Sequence, residues 1–170
     1  RRVGNFQSKY QNIQVWETDN NSPIDPEVSI NRVLFLDETQ QSATDDEIIY
    51  HEHLIHPAML AHPTGAKKVA ILGGGEGASL RETLRHATVT EAYMIGLDGG
   101  VVDESKKYLQ QMNNCSFGEP GYKSCFDDPR TRLVLEDCVG WFKNRFKGDA
   151  CAGAANESKF DVIVMDLLDP

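Results

Sequence analysis

Apolar and polar residues alternate along the first part of the chain. The alternation runs from Tyr10 to Thr18, and a second short run, rich in apolar residues, covers residues 32–36. Such patterns are typical of half-buried strands, and the turn-forming residues at 19–26 between the two runs favour a hairpin. We therefore predict a small β unit at the start of the chain.

The spacing becomes helical after Asp45. Acidic residues at 45–47 suit the first turn of a helix, and apolar residues continue at mixed helical spacing to about Leu60. The Pro/Gly stretch at 63–65 would end this helix and marks a domain boundary. The predicted domains are a β-strand unit with its connecting helix at 1–65 and a second domain at 66–170.

Strands and helices alternate through the second domain. The predicted strands cover residues 68–72, 92–97, 132–135 and 160–165, and the predicted helices cover residues 79–86, 101–112 and 139–146. Alternation at this spacing predicts a parallel sheet with right-handed crossovers, and therefore an α/β fold. The chain stops at Pro170 soon after the fourth strand, so we expect the sheet to be C-terminally incomplete in this sequence.

Charge and composition exclude several functional classes. Asp and Glu number 26 against 17 Lys and Arg, which gives a formal net charge of -9, and no basic cluster is present. We do not expect nucleic-acid binding, because it needs a concentrated basic surface. No apolar run approaches the length of a membrane span. We expect a cytoplasmic protein, or a plastid protein if a transit peptide preceded Arg1.

The chain has four cysteines, which form no Cys-x-x-Cys pair: Cys115, Cys125, Cys138 and Cys151. A zinc site therefore has little support. Free thiols are the expected state in a reducing compartment. A bridge between Cys115 and Cys125 across the intervening loop is the alternative.

A glycine-rich turn follows the first strand of the second domain. It reads Gly73-Gly74-Gly75-Glu76-Gly77, and a helix is predicted directly after it. Glycines let the backbone approach a ligand closely, and a helix amino terminus favours partial negative charge. We interpret Gly73, Gly74 and Gly75 as part of a nucleoside site.

Two classes of ligand fit this turn. Gly73, Gly75 and Ala78, with Asp98 about 20 residues further on, satisfy a dinucleotide fingerprint, so nicotinamide or flavin binding is a rival interpretation. Glu76 favours a cationic ligand, because its carboxylate would repel a pyrophosphate and attract a sulfonium group. S-adenosylmethionine and its decarboxylated form carry that charge, and Asp98 is placed to hold the adenosyl ribose.

A pair of acids, Asp166 and Asp169, follows the fourth predicted strand at the same edge of the sheet as the glycine turn. A carboxylate there could take a proton from an amine or bind it as an ammonium ion. The alternative is an ordinary turn at Asp169 with Asp166 as a helix cap. His51, His53 and His56 lack the His-Glu-x-x-His spacing of metalloproteases, so no metal is predicted.

Motifs spread over nearly the whole chain resemble the spermidine/spermine synthase family of aminopropyltransferases. The matching segments are Tyr10-Gln11-Asn12-Ile13, Val33-Leu34-Phe35-Leu36-Asp37, Gln41, Asp46-Glu47, Tyr50-His51-Glu52, Gly73-Gly74-Gly75-Glu76-Gly77, Leu80-Arg81-Glu82, His86 and Asp166-Leu167-Leu168-Asp169-Pro170. Three of these motifs look most like the thermospermine synthase branch of plants and algae. The resemblance implies a Rossmann-like domain of the S-adenosylmethionine-dependent methyltransferase type.

The resemblance also implies a reaction. The aminopropyl group of decarboxylated S-adenosylmethionine, a co-substrate, would move to putrescine or spermidine with release of methylthioadenosine, and no prosthetic group is expected. Asp166 would deprotonate the attacking amine, which Tyr50 and Asp169 help to place. The implied donor contacts are Glu76 to the aminopropyl group, Gln11 and His51 to the donor as a whole, and Asp137 to the adenine. A homo-oligomer is expected, as is common in the family, and membership of a larger assembly is the alternative.

One position departs from the family pattern. The family usually carries a Glu or Asp two residues before Asp98 as the ligand of the ribose hydroxyls, and this chain has Gly96 there. Loss of a bidentate carboxylate should weaken donor binding by about 1.5 to 3 kcal/mol. A family-derived scaffold protein without turnover is therefore the alternative function. A methyltransferase or dinucleotide oxidoreductase on the same architecture is a third.

Overall fold

The computed structural model describes residues 1–19, 30–117, 120–146 and 159–167. Within these ranges it contains two four-stranded sheets, one antiparallel and one parallel. The predicted α/β class is therefore confirmed. Most of the predicted turn at 19–26 lies outside the described residues, as do Asp169 and Cys151.

The antiparallel sheet contains two strands that the sequence pattern did not predict. Its strands, in spatial order, are β1 (Arg2–Gln7), β2 (Asn12–Asp19), β3 (Ile30–Leu36) and β4 (Thr39–Ala43). The pairing of β2 with β3 confirms the predicted hairpin partners. Strands β1 and β4 were missed because β4 is almost entirely polar and β1 buries only Gly4, so neither shows apolar alternation.

The parallel sheet places the fourth strand beside the first. Its strands are β5 (Lys68–Gly73), β6 (Glu91–Gly96), β7 (Thr131–Leu135) and β8 (Val162–Asp166), in the order β7-β6-β5-β8. The register of β5 with β8 pairs Gly73 with Asp166. The glycine turn and the predicted base therefore meet because of this strand order, although they are far apart in the sequence.

Among the described residues, two hydrophobic cores connect three of the four α-helices to the sheets. The helices are α1 (Glu47–Ala61), α2 (Ala78–Leu84), α3 (Gly99–Tyr108) and α4 (Cys138–Arg145). Ile55 and Met59 of α1 share a core with Leu80 of α2 and with the parallel sheet. Ile13 of the antiparallel sheet shares the second core with Val101 of α3. The division at residue 65 stays a prediction, and α1 packs with the second of the two predicted domains. None of the described helices is long and apolar enough to cross a membrane.

Cys115 and Cys125 form a disulfide, which corrects the expectation of free thiols for this pair. The backbone N–H of Cys115 donates to the carbonyl of Lys123 at 2.7 Å, and that of Cys125 donates to the carbonyl of Asn113 at 2.8 Å. These bonds align the two ends of the loop side by side, a closure that no spacing rule reveals. Cys138 has a free thiol.

Candidate active site

A cavity of about 480 Å³ opens at the carboxyl ends of β5, β6 and β8. The antiparallel sheet and the start of α1 provide its other walls. The lining includes Tyr10, Gln11, Tyr50, His51, Gly73, Gly74, Gly75, Glu76, Gly96, Asp98 and Asp166. The carboxyl edge of an open parallel sheet is the usual position for a ligand site in such folds.

The glycine turn is built around Asp166. Gly73 has φ of +87°, and a Cβ added to it would lie 2.0 Å from the backbone oxygen of Asp166. A Cβ added to Gly74 would lie 2.7 Å from the Asp166 Oδ2 atom. These glycines are therefore required by the approach of Asp166, through its backbone oxygen at Gly73 and its carboxylate at Gly74, which adds a reason to the ligand contact inferred from the sequence.

Asp166 has the environment of a base that works near neutral pH. Burial and the negative charge of Glu76 raise the pKa of Asp166, against a hydrogen bond from Ser79 and the charge of His51, to about 6. The Ser79 hydroxyl donates to Oδ2 of Asp166 at 2.6 Å. The carboxylate is thus ionised at neutral pH but basic enough to accept a proton from a neighbouring amine.

His51 lies between the carboxylates as a buried cation. Its Nε2–H donates to Glu76 Oε1 at 3.1 Å and lies 4.0 Å from Asp166 Oδ2. Its Nδ1–H donates to the backbone oxygen of Glu47 at 2.6 Å. Burial by itself would lower the pKa of His51, but hydrogen bonds with Glu47 and Glu76 and the charge of Asp166 outweigh it and raise the pKa to about 10.

Behind His51, a buried ion pair joins α1 to α2. Arg81 donates from both terminal nitrogens to the two Glu47 oxygens, at 2.9 and 2.8 Å. Burial alone would raise the pKa of Glu47, but its contacts with His51 and Arg81 hold the pKa below its ordinary value. The bidentate geometry fixes the Glu47 carboxylate against His51.

Asp98 connects the two sheets at the other side of the cavity. Its Oδ1 accepts the backbone N–H of Gly100 at 2.9 Å and so caps α3. Its Oδ2 accepts from the Ser8 hydroxyl at 2.6 Å and from the Gln11 amide at 3.0 Å. Gly96 lines the cavity nearby, and a Cβ added to it would meet no atom within 4 Å.

Comparison with known proteins supplies the family. A family model described as the spermine/spermidine synthase domain matches residues 47–170. The chain belongs to this family. The polyamine aminopropyltransferase of Pyrobaculum aerophilum is 44% identical over 163 residues, which cover 96% of this chain and 47% of the relative. That of Thermococcus onnurineus is 36% identical over 169 residues, which cover 99% of this chain and 49% of the relative.

Solved spermidine synthases share the fold. One, in complex with the transition-state analogue AdoDATO, is 34% identical with a TM-score of 0.72, covering 100% of this chain and 47% of that one. The spermidine synthase of Thermotoga maritima is 32% identical with a TM-score of 0.72, covering 98% of this chain and 47% of that one. The predicted Rossmann-like, methyltransferase-type fold and the family resemblance are confirmed. The chain spans about half the length of the curated relatives it matches.

Most of the site residues inferred from the family resemblance lie around one cavity. Tyr50 lines it, with its ring edge against His51 at 5.0 Å between centroids. Asp137 is not among the described lining residues; it caps α4 at the carboxyl end of β7, where its side chain accepts from the N–H of Gly140. Asp169 lies outside the described residues. The roles implied for all of these residues stay predictions.

Within the part of the chain that the structure describes, two clusters of acids and histidines bring donor atoms within 4.8 Å of one another: His51, Glu76 and Asp166, and Glu52, His56 and Glu82. In the first, His51 pairs with Glu76 at 3.1 Å and with Glu47 at 3.2 Å. In the second, the Glu82 oxygens face Arg81 at 2.7 Å and Arg85 at 3.3 Å. Ion pairing accounts for both clusters, and we assign a metal role to neither.

Three residues with contacts to the site were given no role by the sequence: Glu47, Ser79 and Arg81. Glu47 and His51 are spaced i, i+4 on a predicted helix, which is a local signal that they could interact. Ser79 and Arg81 follow the glycine turn, but their partners Asp166 and Glu47 are 87 and 34 residues away. No local pattern could therefore have identified the last two.

Proposed function

We propose that the protein transfers the aminopropyl group of decarboxylated S-adenosylmethionine to a polyamine amine, with release of methylthioadenosine. The observation that carries this proposal is the pair of carboxylates, Glu76 and Asp166, held around His51 in the cavity of a spermine/spermidine synthase family member. One carboxylate suits a cationic donor, and the other has a pKa suited to a base.

The proposed reaction is a displacement at carbon. Asp166 takes a proton from the acceptor ammonium, which leaves a neutral amine with a free lone pair. The nitrogen attacks the carbon next to the donor sulfonium, and the carbon–sulfur bond breaks with its electron pair going to sulfur. The products are a secondary ammonium ion and neutral methylthioadenosine. Because the sulfonium is already a good leaving group, the enzyme mainly supplies positioning and the base.

The charge of the cavity also supports a cationic donor over the rival dinucleotide. Glu76 is in the glycine turn, and Asp98 and Asp166 line the same cavity. A pyrophosphate would face these acids, and the one basic residue among the described lining residues, His51, is already paired with Glu47 and Glu76. A sulfonium and an ammonium are attracted by the same acids, which also agrees with the net charge of -9.

The finer parts of the proposal follow the sequence predictions. Putrescine or spermidine is the acceptor, with the thermospermine branch as the narrower prediction. Decarboxylated S-adenosylmethionine is a co-substrate, and no prosthetic group takes part. We also propose a homo-oligomer in the cytoplasm. The AdoDATO complex of a related spermidine synthase supports decarboxylated S-adenosylmethionine as the co-substrate.

The test is release of methylthioadenosine by the complete protein that carries this sequence. With decarboxylated S-adenosylmethionine and either putrescine or spermidine, we expect turnover that Asp166→Asn lowers by about 100- to 10,000-fold. Asp103→Asn removes an exposed acid on α3 and is the matched control, with unchanged turnover expected. No release with either amine, or full activity of Asp166→Asn, would contradict the proposal.

The scaffold alternative is motivated by Gly96 and makes a different prediction. A decayed site should give no heat when the complete protein is titrated with methylthioadenosine. An active aminopropyltransferase should bind this product even if donor binding is weakened at the ribose. Calorimetry therefore separates the two functions without relying on turnover.

A further inference from the structure

A continuous chain of buried charges leads from α2 to the base at the end of β8. Arg81 binds Glu47, Glu47 contacts His51, and His51 contacts Glu76 and approaches Asp166. We propose that Glu47 is a positioning residue that keeps His51 charged and thereby sets the pH at which Asp166 acts as the base. This inference rests on the proposed function, because it assigns a role within the same reaction.

The geometry fixes Glu47 in one position. Its side chain is 0% exposed, and Oε2 lies 3.2 Å from His51 Nδ1. Arg81, with a side chain only 6% exposed, holds both carboxylate oxygens. The Arg81 guanidinium also donates to the backbone oxygens of Gln111 and Met112, at 3.0 and 3.1 Å. A buried carboxylate held in this way stays ionised and cannot move away from His51.

The charged and titratable groups that face His51 come from four elements. Helix α1 provides Glu47 and the Tyr50 ring, and the residue just before the helix is the more distant Asp46. The turn after β5 provides Glu76, and β8 provides Asp166. Arg81 of α2 binds Glu47. It is the one cation among the groups just named. Acids therefore surround His51, and Glu47 is the one that Arg81 binds through both carboxylate oxygens.

Removing the Glu47 charge should change the protonation of both His51 and Asp166. His51 would lose one anion and would face Arg81 without the intervening carboxylate, so its pKa should fall. A neutral His51 no longer offsets the repulsion between Glu76 and Asp166. Protonated Asp166 then becomes more favourable, and its pKa should rise further above the ordinary range of a carboxyl group.

The experiment compares Glu47→Gln with Glu82→Gln in the complete protein. Both variants remove a buried carboxylate that is bound to Arg81, but only Glu47 touches His51. We expect the acid limb of kcat/KM against pH to move up by about one unit in Glu47→Gln, a loss of about tenfold well below the limb. At pH 9 the rate should return close to wild type. In Glu82→Gln the position of the limb should not change.

A second measurement does not depend on turnover. The His51 imidazole can be followed by NMR in protein with labelled histidine and assigned with His51→Gln. In wild type and Glu82→Gln we expect it to stay protonated to about pH 10, and in Glu47→Gln to titrate near its ordinary pKa of 6.5, so that it loses its charge over the pH range in which Asp166 titrates. If Glu47→Gln does not fold, Glu47→Asp takes its place, because its withdrawn carboxylate should give a smaller shift in the same direction.

Three results would overturn the inference. One is a loss of rate in the folded Glu47 variant that is the same at every pH, since that indicates a purely structural role. Another is an equal shift of the acid limb in Glu82→Gln. The third is a His51 titration that the Glu47 variant leaves unmoved. Absence of methylthioadenosine release by wild type would instead overturn the proposed function. The NMR titration would then still test whether Glu47 keeps His51 charged.

Discussion

Asp98 and Gly96 determine how this chain can hold the ribose of a donor. Asp98 was predicted as a ribose ligand, but its Oδ2 already accepts from Ser8 and Gln11, and its Oδ1 caps α3. One lone pair on Oδ1 remains for a ligand if each bond uses one. Gly96 lines the cavity and has open space around it, so a carboxylate side chain would fit at this position although the chain has none.

We therefore predict that Gly96→Glu strengthens binding of methylthioadenosine. Two charge-assisted hydrogen bonds to the ribose hydroxyls should lower Kd about 10- to 100-fold. Calorimetric titration measures this change. Gly96→Ala fills the same space without a carboxylate, so it is the control and should leave Kd unchanged. Equal affinity of the Glu and Ala variants would show that the ribose is held elsewhere.

At the scale of elements, the turn between β5 and α2 is constrained by its neighbour β8. The N–H of Gly74 donates to the backbone oxygen of Asp166 at 3.0 Å, and Gly73 has a left-handed conformation in contact with the same oxygen. The turn thus carries Glu76 and supports Asp166 in one rigid arrangement. Its sequence serves both the fold and the site.

For this turn we predict that Gly73→Ala destabilises the protein by about 3 kcal/mol or more, because a Cβ there is strained and overlaps backbone. Denaturant unfolding of the complete protein gives the change. Gly96→Ala, at the end of the adjacent strand β6 and with open space around it, should stay within about 0.5 kcal/mol of wild type. A Gly73→Ala variant as stable as wild type would mean that the backbone of β8 leaves room for a Cβ at this position of the turn.

The disulfide between Cys115 and Cys125 closes a loop next to a segment that contacts the glycine turn. Asn113, two residues before Cys115, donates from its side-chain amide to the backbone oxygen of Glu76 at 3.2 Å. Cys125 is fully buried, and Phe126 lies close to Gly77. Closing this loop therefore helps to fix the position of the backbone that carries Glu76.

We expect Cys115→Ser to lower the free energy of unfolding by about 2 to 3 kcal/mol, as the chain-entropy model gives for so short a loop. A reducing agent should destabilise wild type by a similar amount and leave Cys115→Ser unaffected. Cys138→Ser, which changes a free thiol, controls for loss of any cysteine. If reduction leaves the unfolding curve of wild type unchanged, the bridge does not stabilise the protein.

At the scale of the whole molecule, a few buried polar contacts join elements that are distant in the sequence. Ser8 and Gln11 tie the antiparallel sheet to Asp98 at the start of α3. The charges from Arg81 to Asp166 join α1, α2 and β8. Because these charges are buried, their protonation is coupled to folding of the molecule as a whole.

This coupling predicts a pH dependence of stability. The pKa of His51 is raised from its ordinary 6.5 to about 10 in the folded protein. The stability that His51 contributes is therefore fully present below pH 6.5 and is lost as pH rises towards 10. The difference in unfolding free energy between wild type and His51→Gln should shrink over this range. A difference that is constant with pH would show that His51 is neutral when folded.

The sequence by itself determined the class of fold and the family. Apolar alternation located β2, a short apolar run located β3, helical spacing located α1, and the regular exchange of strands and helices gave the parallel sheet. These patterns depend only on residues that are near one another in the sequence. They can therefore be recognised without knowing which element each strand or helix packs against. The polar strand β4 and the short strand β1 left no such pattern, because their stability comes from pairing with β2 and β3.

Only the tertiary structure decided how the site residues act on one another. The order of the parallel strands brings Asp166 against Gly73 and Gly74, and the packing of α1 on α2 buries Glu47 with Arg81 beside His51. A sequence identifies a carboxylate or an imidazole but not its exposure or its neighbours. Protonation depends on both of these properties. The candidate acids could therefore be named from the sequence, whereas the charge of His51 and the basicity of Asp166 follow from the fold.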